Sequence, residues 1–155
     1  MARKCGPCNA CCTIMDVPAV NSPEFQTCGF LSTQGGGWKR CTIYAERPPV
    51  CQEFKCAWLA GMGRSKDRPN QSKIFAHYSP NSIHEGKDHG PTLVLTELRP
   101  GQLQRESRTH ARYLKDAKAS QLNVVYRRMH LSQIDEPRPG DTPQIDEPGG
   151  TDDNT

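Results

Sequence analysis

Eight cysteines lie within the first 56 residues of this 155-residue chain, and none follows them. The first four form a C-x-x-C-x-x-C-C run, and the whole set is Cys5, Cys8, Cys11, Cys12, Cys28, Cys41, Cys51 and Cys56. A thiolate is a strong, soft metal ligand, and apolar residues make up only 34% of the chain. We therefore expect metal ions or cross-links to stabilise this region in place of a large apolar core.

The cellular compartment decides between metal binding and disulfides. The segment Met1–Cys5 has basic residues but no apolar stretch behind them, so no secretory signal is expected. No stretch approaches the ~20 apolar residues of a membrane span. A cytoplasmic location follows as an expectation, and the cytosol keeps thiols reduced. Metal binding is therefore favoured over the four disulfides that an exported chain would form.

The number of cysteines fits thiolate metal sites but does not identify the metal. A tetrahedral zinc site takes four ligands, and an iron–sulfur cluster also takes four thiolates. Eight cysteines therefore suit two four-thiolate sites, or one site with further cysteines in other roles. Zinc and iron both remain open at this point.

The spacing of the first run predicts how its cysteines divide. Pro7 suits the first position of a short helix, which would place Cys8, Cys11 and Cys12 on one side with Cys5 just ahead of it. Adjacent side chains on a helix diverge by ~100°. We therefore expect either Cys11 or Cys12 to face a second site, shared with the cysteines between residues 28 and 56.

The cysteine-rich region resembles the YkgJ-type C-x-x-C-x-x-C-C cysteine cluster family over residues 5–59. The matching runs are Cys5-Gly6-Pro7-Cys8-Asn9-Ala10-Cys11-Cys12, Cys28-Gly29-Phe30-Leu31 and Cys41-Thr42-Ile43-Tyr44-Ala45-Glu46-Arg47-Pro48-Pro49-Val50-Cys51-Gln52-Glu53-Phe54-Lys55-Cys56. The resemblance implies a zinc- or iron-chelating domain in which all eight cysteines are candidate ligands. A similar cluster in flagellin lysine methylases is associated with an iron–sulfur centre and protein methylation, although those enzymes are far longer than this chain.

A few other residues are candidates for a supporting role. Arg47 is either an exposed arginine or a donor to cluster sulfurs or backbone carbonyls. Trp38 and Trp58 are expected to cover a small core rather than to touch a ligand. His84 and His89 lie five residues apart in one loop and are the histidine pair to test as auxiliary ligands.

The sequence divides into a cysteine-cluster metal-binding module (1–62), a small extension packed on it (70–128) and an acidic tail (132–155). The module is predicted to contain a second short helix from Pro48 to Gly61 and a glycine loop at 35–37. The extension is predicted to contain two strands (Lys73–Tyr78 and Thr92–Leu98), then a helix over positions 103–117, then a final strand (Gln121–Arg127). The order β-β-α-β gives an α+β fold, stapled by metal in the module.

The charge is unevenly distributed. Residues 132–155 carry seven acids and one arginine, a net charge of −6, so the first 131 residues carry +9 because the whole chain carries +3. Eight thiolates with two divalent metals would lower the latter value to +5, so the support for nucleic-acid binding is weak. The tail is predicted to be disordered, and its two Ile-Asp-Glu-Pro copies provide a candidate motif for a protein partner.

No Ser-His-Asp order, paired-carboxylate motif or phosphate-binding glycine loop occurs, so no catalytic residue is assigned. The first hypothesis is a cytosolic protein that chelates zinc or iron through its cysteines. The alternative is an iron–sulfur redox or protein-modifying enzyme component, similar to a methylase. A second alternative is a zinc-dependent protein associated with nucleic acid, which predicts salt-dependent binding.

Overall fold

The computed structural model describes residues 2–33, 39–81, 83–84, 86–88, 90–103 and 107–127. Its α-helices are α1 (Cys11–Ile14), α2 (Pro49–Glu53), α3 (Pro69–Ser72) and α4 (Arg108–Ala119). Its strands are β1 (Leu31–Thr33), β2 (Lys39–Cys41), β3 (Ile74–Ser79), β4 (Ile83–His84), β5 (Lys87–Asp88), β6 (Thr92–Glu97) and β7 (Asn123–Arg127). The expected α+β class is confirmed.

The central sheet has three strands in the order β3-β6-β7. β6 pairs antiparallel with β3 and parallel with β7, with Phe75 opposite Thr96 and Leu95 opposite Tyr126. All six residues of β6 are buried, which is typical of a strand covered on both faces of its sheet. The helix α4 lies in the connection between the parallel strands, as such a crossover requires.

One face of the sheet packs on α4. Because side chains alternate along a strand, Ile74 and Ala76 of β3 share a face. A single apolar cluster contains these two residues together with Leu93, Leu95, Tyr113, Ala57, Leu103 and Ala117. This cluster is the larger core of the protein, and it contains no cysteine among its buried members.

The intervening residue of β3, Phe75, belongs to a second apolar cluster. Its buried members are Ala10, Ile14, Cys56, Trp58 and Phe75, and the partly buried Cys8 and Cys11 pack against them. The backbone also links this region to the sheet, since the Ala57 N–H donates to the Ala76 carbonyl at 2.7 Å. The cysteine-bearing segments therefore rest on an apolar surface to which the sheet contributes.

A buried ion pair joins the segment before α3 to α4. Asp67 is fully buried and accepts hydrogen bonds from Arg112 Nε (2.6 Å), Thr109 Oγ1 (2.7 Å) and the Arg64 N–H (2.7 Å). A second contact runs from Arg112 Nη2 to Asp67 Oδ1. Burial alone would raise the pKa of Asp67, but these donors lower it to about 2.

Two helices of the cysteine-rich region are shorter than their sequence predicts. The first begins at Cys11 rather than at Pro7, because Gly6 adopts a positive φ of 55° in a turn that the Cys8 N–H closes on the Cys5 carbonyl. The second begins at Pro49 but ends at Glu53, since Phe54 is extended and the chain then turns toward β3.

The predicted two strands, helix and final strand of the extension are present as β3, β6, α4 and β7, with shifted ends. Leu103 is buried in the core but lies before α4, which begins after its N-cap, Ser107. The short β4–β5 hairpin was not expected within the polar loop. Trp38, His89, the glycine loop at 35–37 and the tail from residue 132 lie outside the described residues. Within those residues, no helix is long and apolar enough to cross a bilayer.

Candidate metal centre

All eight cysteines lie within the described residues as free thiols. Cys56 is buried, Cys5 is exposed, and the other six are partly exposed. We sort them into two sets of four by their backbone contacts and by the thiol charges that act on them, although Cys11 acts on members of both sets. We name these the first cysteine group (Cys5, Cys8, Cys11, Cys56) and the second cysteine group (Cys12, Cys28, Cys41, Cys51).

The first cysteine group forms where the N-terminal turn meets the segment after α2. The Cys5–Cys8 turn brings the first two together, and Cys8 and Cys11 pack on the apolar cluster that contains Cys56. Burial raises the pKa of Cys56 to about 11, and the charges of Cys5, Cys8 and Cys11 act in the same direction. Burial also raises the pKa of Cys5, with Cys11 and Cys8 contributing. The four thiols therefore share one electrostatic environment.

The second cysteine group forms through backbone contacts across three segments. The Cys28 N–H donates to the Cys12 carbonyl at 2.8 Å, and the Leu31 N–H donates to the Cys28 carbonyl at 3.0 Å. Leu31 pairs in turn with Cys41 across the β1–β2 ladder. Cys51 lies on α2, and its pKa is raised by burial and then by the charges of Cys11, Cys28 and Cys41.

Cys11 and Cys12 lie between the two groups. The interaction between the two adjacent thiols lowers the pKa of Cys12 and raises that of Cys11. The charges of Cys28, Cys41 and Cys51 act on Cys12, whereas Cys11 acts on Cys5 and Cys56. Adjacent cysteines on α1 therefore belong to different groups, although Cys11 also acts on Cys51.

The donor chemistry fits a metal in each group, since four thiols match the ligand number of a tetrahedral thiolate site. The side chains do not already stand as ligands of one ion. Among the described residues, which include all eight cysteines, no three Cys, His, Asp or Glu side chains are arranged to hold a metal. The sulfur atoms of the eight cysteines are therefore not in a coordination geometry.

Arginines supply positive charge beside the thiols. Arg47 donates from Nε to the Tyr44 carbonyl at 2.9 Å and from Nη1 to the Cys51 carbonyl at 3.5 Å. Its charge opposes the raised pKa of both Cys5 and Cys51. The expectation that Arg47 bonds carbonyls near the cysteines is confirmed.

Two further arginines could not be identified from the sequence, because no sequence pattern links them to the cysteines. Arg3 donates to the carbonyls of Trp58 and Met62, both at 2.6 Å, and its guanidinium lies 5.1 Å from the Trp58 ring centroid. Arg68 approaches the same ring at 5.0 Å, and its charge acts on Cys5. Trp58 is buried, as expected of a residue that covers a small core.

The described side chains do not test the prediction that His84 and His89 are auxiliary metal ligands. His84 lies in β4, but its side chain, like the whole of His89, lies outside the described part. His77 is partly buried, it packs against the rings of both Phe54 and Phe75, and burial lowers its pKa. Its ring contacts are therefore aromatic.

Comparisons with known proteins add no relative to this picture. The chain matches no protein-family model, and searches of curated proteins and of solved structures return no similar chain. The YkgJ-type resemblance therefore rests on the spacing of the cysteines and on the residues between them.

Proposed function

We propose that this protein binds zinc or iron through eight cysteine thiolates, four in the first cysteine group and four in the second. The observation that supports the proposal is the proximity of the cysteine-bearing segments in the folded chain. The contacts behind it are the Cys5–Cys8 turn, the packing of Cys8 and Cys11 with Cys56, and the hydrogen bond from Cys28 to Cys12. Cytoplasmic location is part of the same proposal, because that compartment keeps thiols reduced.

The metal would act as a staple. The first cysteine group joins the N-terminal turn to the segment after α2, and the second joins α1, the β1–β2 hairpin and α2. These elements are three to five residues long, too short to be stable helices or hairpins by themselves. Coordination would supply folding free energy that their small apolar surface does not.

The balance of charge supports the same proposal. Four thiolates with one divalent ion carry a charge of about −2 per site. Arg47 and Arg68 lie close enough to influence Cys5, and Arg47 also influences Cys51. Such second-layer donors commonly stabilise the anionic ligand set of a metal site.

The test is metal analysis of full-length protein purified without oxygen, with the absorption spectrum recorded on the same sample. We expect about two zinc ions per chain, or at least about two iron ions in each iron–sulfur cluster. A colourless sample with zinc supports structural zinc sites, whereas iron with broad visible absorbance identifies an iron–sulfur centre. Protein that carries no metal and has its cysteines in disulfides would contradict the proposal.

One observation favours the enzyme component as a second candidate. Cys5 is exposed while its group partner Cys56 is buried, so the first cysteine group lies at the protein surface, where a cluster could exchange electrons with a partner. This candidate requires visible absorbance that dithionite bleaches. A colourless zinc protein would eliminate it.

A further inference from the structure

A cavity of about 320 Å³ lies beside the cysteine groups. Its walls come from the chain around α1, from α3 and from the segment that follows β6. This volume is at the lower end of the range for small-molecule sites. No cysteine lines it, although Asn9 and Ala10 lie between Cys8 and Cys11. The cavity is therefore distinct from the candidate metal ligands.

The lining divides into an apolar and a polar part. Ile14, Phe25 and Leu98 provide apolar surface, and Thr13, Thr27 and Asn70 provide hydroxyl and amide groups. A few polar groups placed on an otherwise apolar wall are typical of sites that orient a small ligand.

The charged side chains of the lining are both cationic. They are Lys73 and Arg99, and no acidic residue lines the cavity. Two acidic residues adjacent in sequence to the lining have other partners. Glu24 pairs with Arg127, and Glu97 accepts from the Gly101 N–H at 3.1 Å. The wall of the cavity therefore carries two positive charges and no acidic group.

We propose that this cavity binds a small organic anion, an apolar body that carries a carboxylate or a phosphate. The apolar body would contact Ile14, Phe25 and Leu98, and the anionic group would lie near Lys73 and Arg99. The proposal does not depend on the metal proposal, since none of its residues is a cysteine.

One detail of the polar wall supports the site. Lys73 Nζ donates to the Asn70 carbonyl, which holds the ammonium at the wall and leaves further N–H donors for a ligand.

The test is a titration of ¹⁵N-labelled full-length protein, in the metal state in which it is purified, followed by amide chemical shifts. The probes are phenyl phosphate, benzoate and the neutral benzyl alcohol. We expect saturable shifts at Asn9, Thr13, Thr27 and Asn70 with an anion, and binding at least about tenfold weaker with the alcohol. Tighter binding of phenyl phosphate would identify a phosphorylated ligand, and tighter binding of benzoate a carboxylate.

Variants connect binding to the two cations. Lys73→Gln and Arg99→Gln are each expected to weaken anion binding about tenfold, and Arg99 is exposed, so its replacement leaves the fold intact. Lys115→Gln on the exposed face of α4 is the matched control and should change nothing. Equal binding of the alcohol and the anions, shifts outside the cavity, or equal weakening by Lys115→Gln would overturn the proposal.

Discussion

Asp67 is a charged residue without solvent exposure, and its environment explains why it stays ionised. The guanidinium of Arg112, the hydroxyl of Thr109 and the backbone N–H of Arg64 all donate to its carboxylate. A buried charge is tolerated only when it is paired and hydrogen-bonded in this way. Asp67 therefore fixes α4 to the segment that precedes α3.

Replacing this carboxylate should destabilise the protein strongly. Asp67→Asn leaves Arg112 without its anionic partner, and removing one member of a buried pair costs about 3 kcal/mol or more. Urea denaturation at neutral pH measures the free energy of unfolding, with the exposed Glu53→Gln as the control. A loss below about 1 kcal/mol, the usual range of exposed pairs, would show that the pair contributes little to the stability of the fold.

The same pair should make stability depend on acid. The pKa of Asp67 is lowered from 3.8 to about 2 in the folded protein, so its contribution, about 2 kcal/mol, is fully present above pH 4. It should be lost as the pH falls from about 4 to 2. The difference in unfolding free energy between the native protein and Asp67→Asn removes acid effects common to both, including any loss of metal. That difference should shrink over this window, and a constant difference would contradict the assignment.

The division of the cysteines can be tested by pairs of substitutions. Cys5→Ser with Cys8→Ser alters only the first cysteine group, so about one metal ion should be lost and one retained. Cys8→Ser with Cys28→Ser alters both groups and should remove both ions. Metal content after purification without oxygen measures the outcome. Equal metal content in the two double variants would contradict the grouping.

At the scale of elements, β3 connects the larger core to the cysteine-bearing segments. Ile74 and Ala76 lie in the cluster with α4, whereas Phe75 between them lies in the cluster with Cys56 and Trp58. A single strand therefore contributes to both cores through its alternating side chains.

Truncation of Phe75 should reveal this connection. Phe75→Ala is expected to lower the free energy of unfolding by about 3–5 kcal/mol because it removes a fully buried ring. Tyr78→Ala, on the same strand but about half exposed, is the control and should change stability by less than about 1 kcal/mol. If the two variants were equally stable, Phe75 would not join the two cores.

The extension was largely predictable because its signals are local. The run from Thr92 to Glu97 is β-branched and apolar, and α4 repeats buried positions at helical spacing, with His110, Tyr113 and Ala117 on one face. Such patterns set the type of an element and leave its ends open. The order of the strands and the parallel pairing of β6 with β7 depend on long-range packing, which no local pattern contains.

The cysteine-rich region was less predictable for the same reason. The turn after Phe54 leads into a contact that is distant in sequence, the hydrogen bond from Ala57 to Ala76. Helical geometry predicts that Cys11 and Cys12 face different sites, and this stays a prediction. The roles of Arg3 and Arg68 depend on their approach to Trp58, which is invisible in the sequence.

For the whole molecule, the proposed metals would stabilise one side of the sheet more than the other. The cluster of the sheet with α4 contains no buried cysteine, while the opposite cluster contains Cys56 with Cys8 and Cys11 packed on it. Removal of metal should therefore act first on the cysteine-bearing segments.

Hydrogen exchange after treatment with a strong chelator tests this order. Amides in residues 2–33 and 39–56 should lose protection, while those of β3 and β6 remain protected. The same chelator saturated with zinc is the control. Unchanged exchange in the cysteine-bearing segments would indicate that no metal supports them.

X-ray absorption at the metal edge tests the central proposal most directly, because it reports the atoms bound to the metal in the intact protein. For full-length protein purified without oxygen, we expect a first shell of about four sulfur atoms at ~2.3 Å and no nitrogen or oxygen for zinc, and likewise a sulfur shell for iron. A shell dominated by nitrogen or oxygen, or a sample without metal, would contradict the assignment of the eight cysteines as ligands.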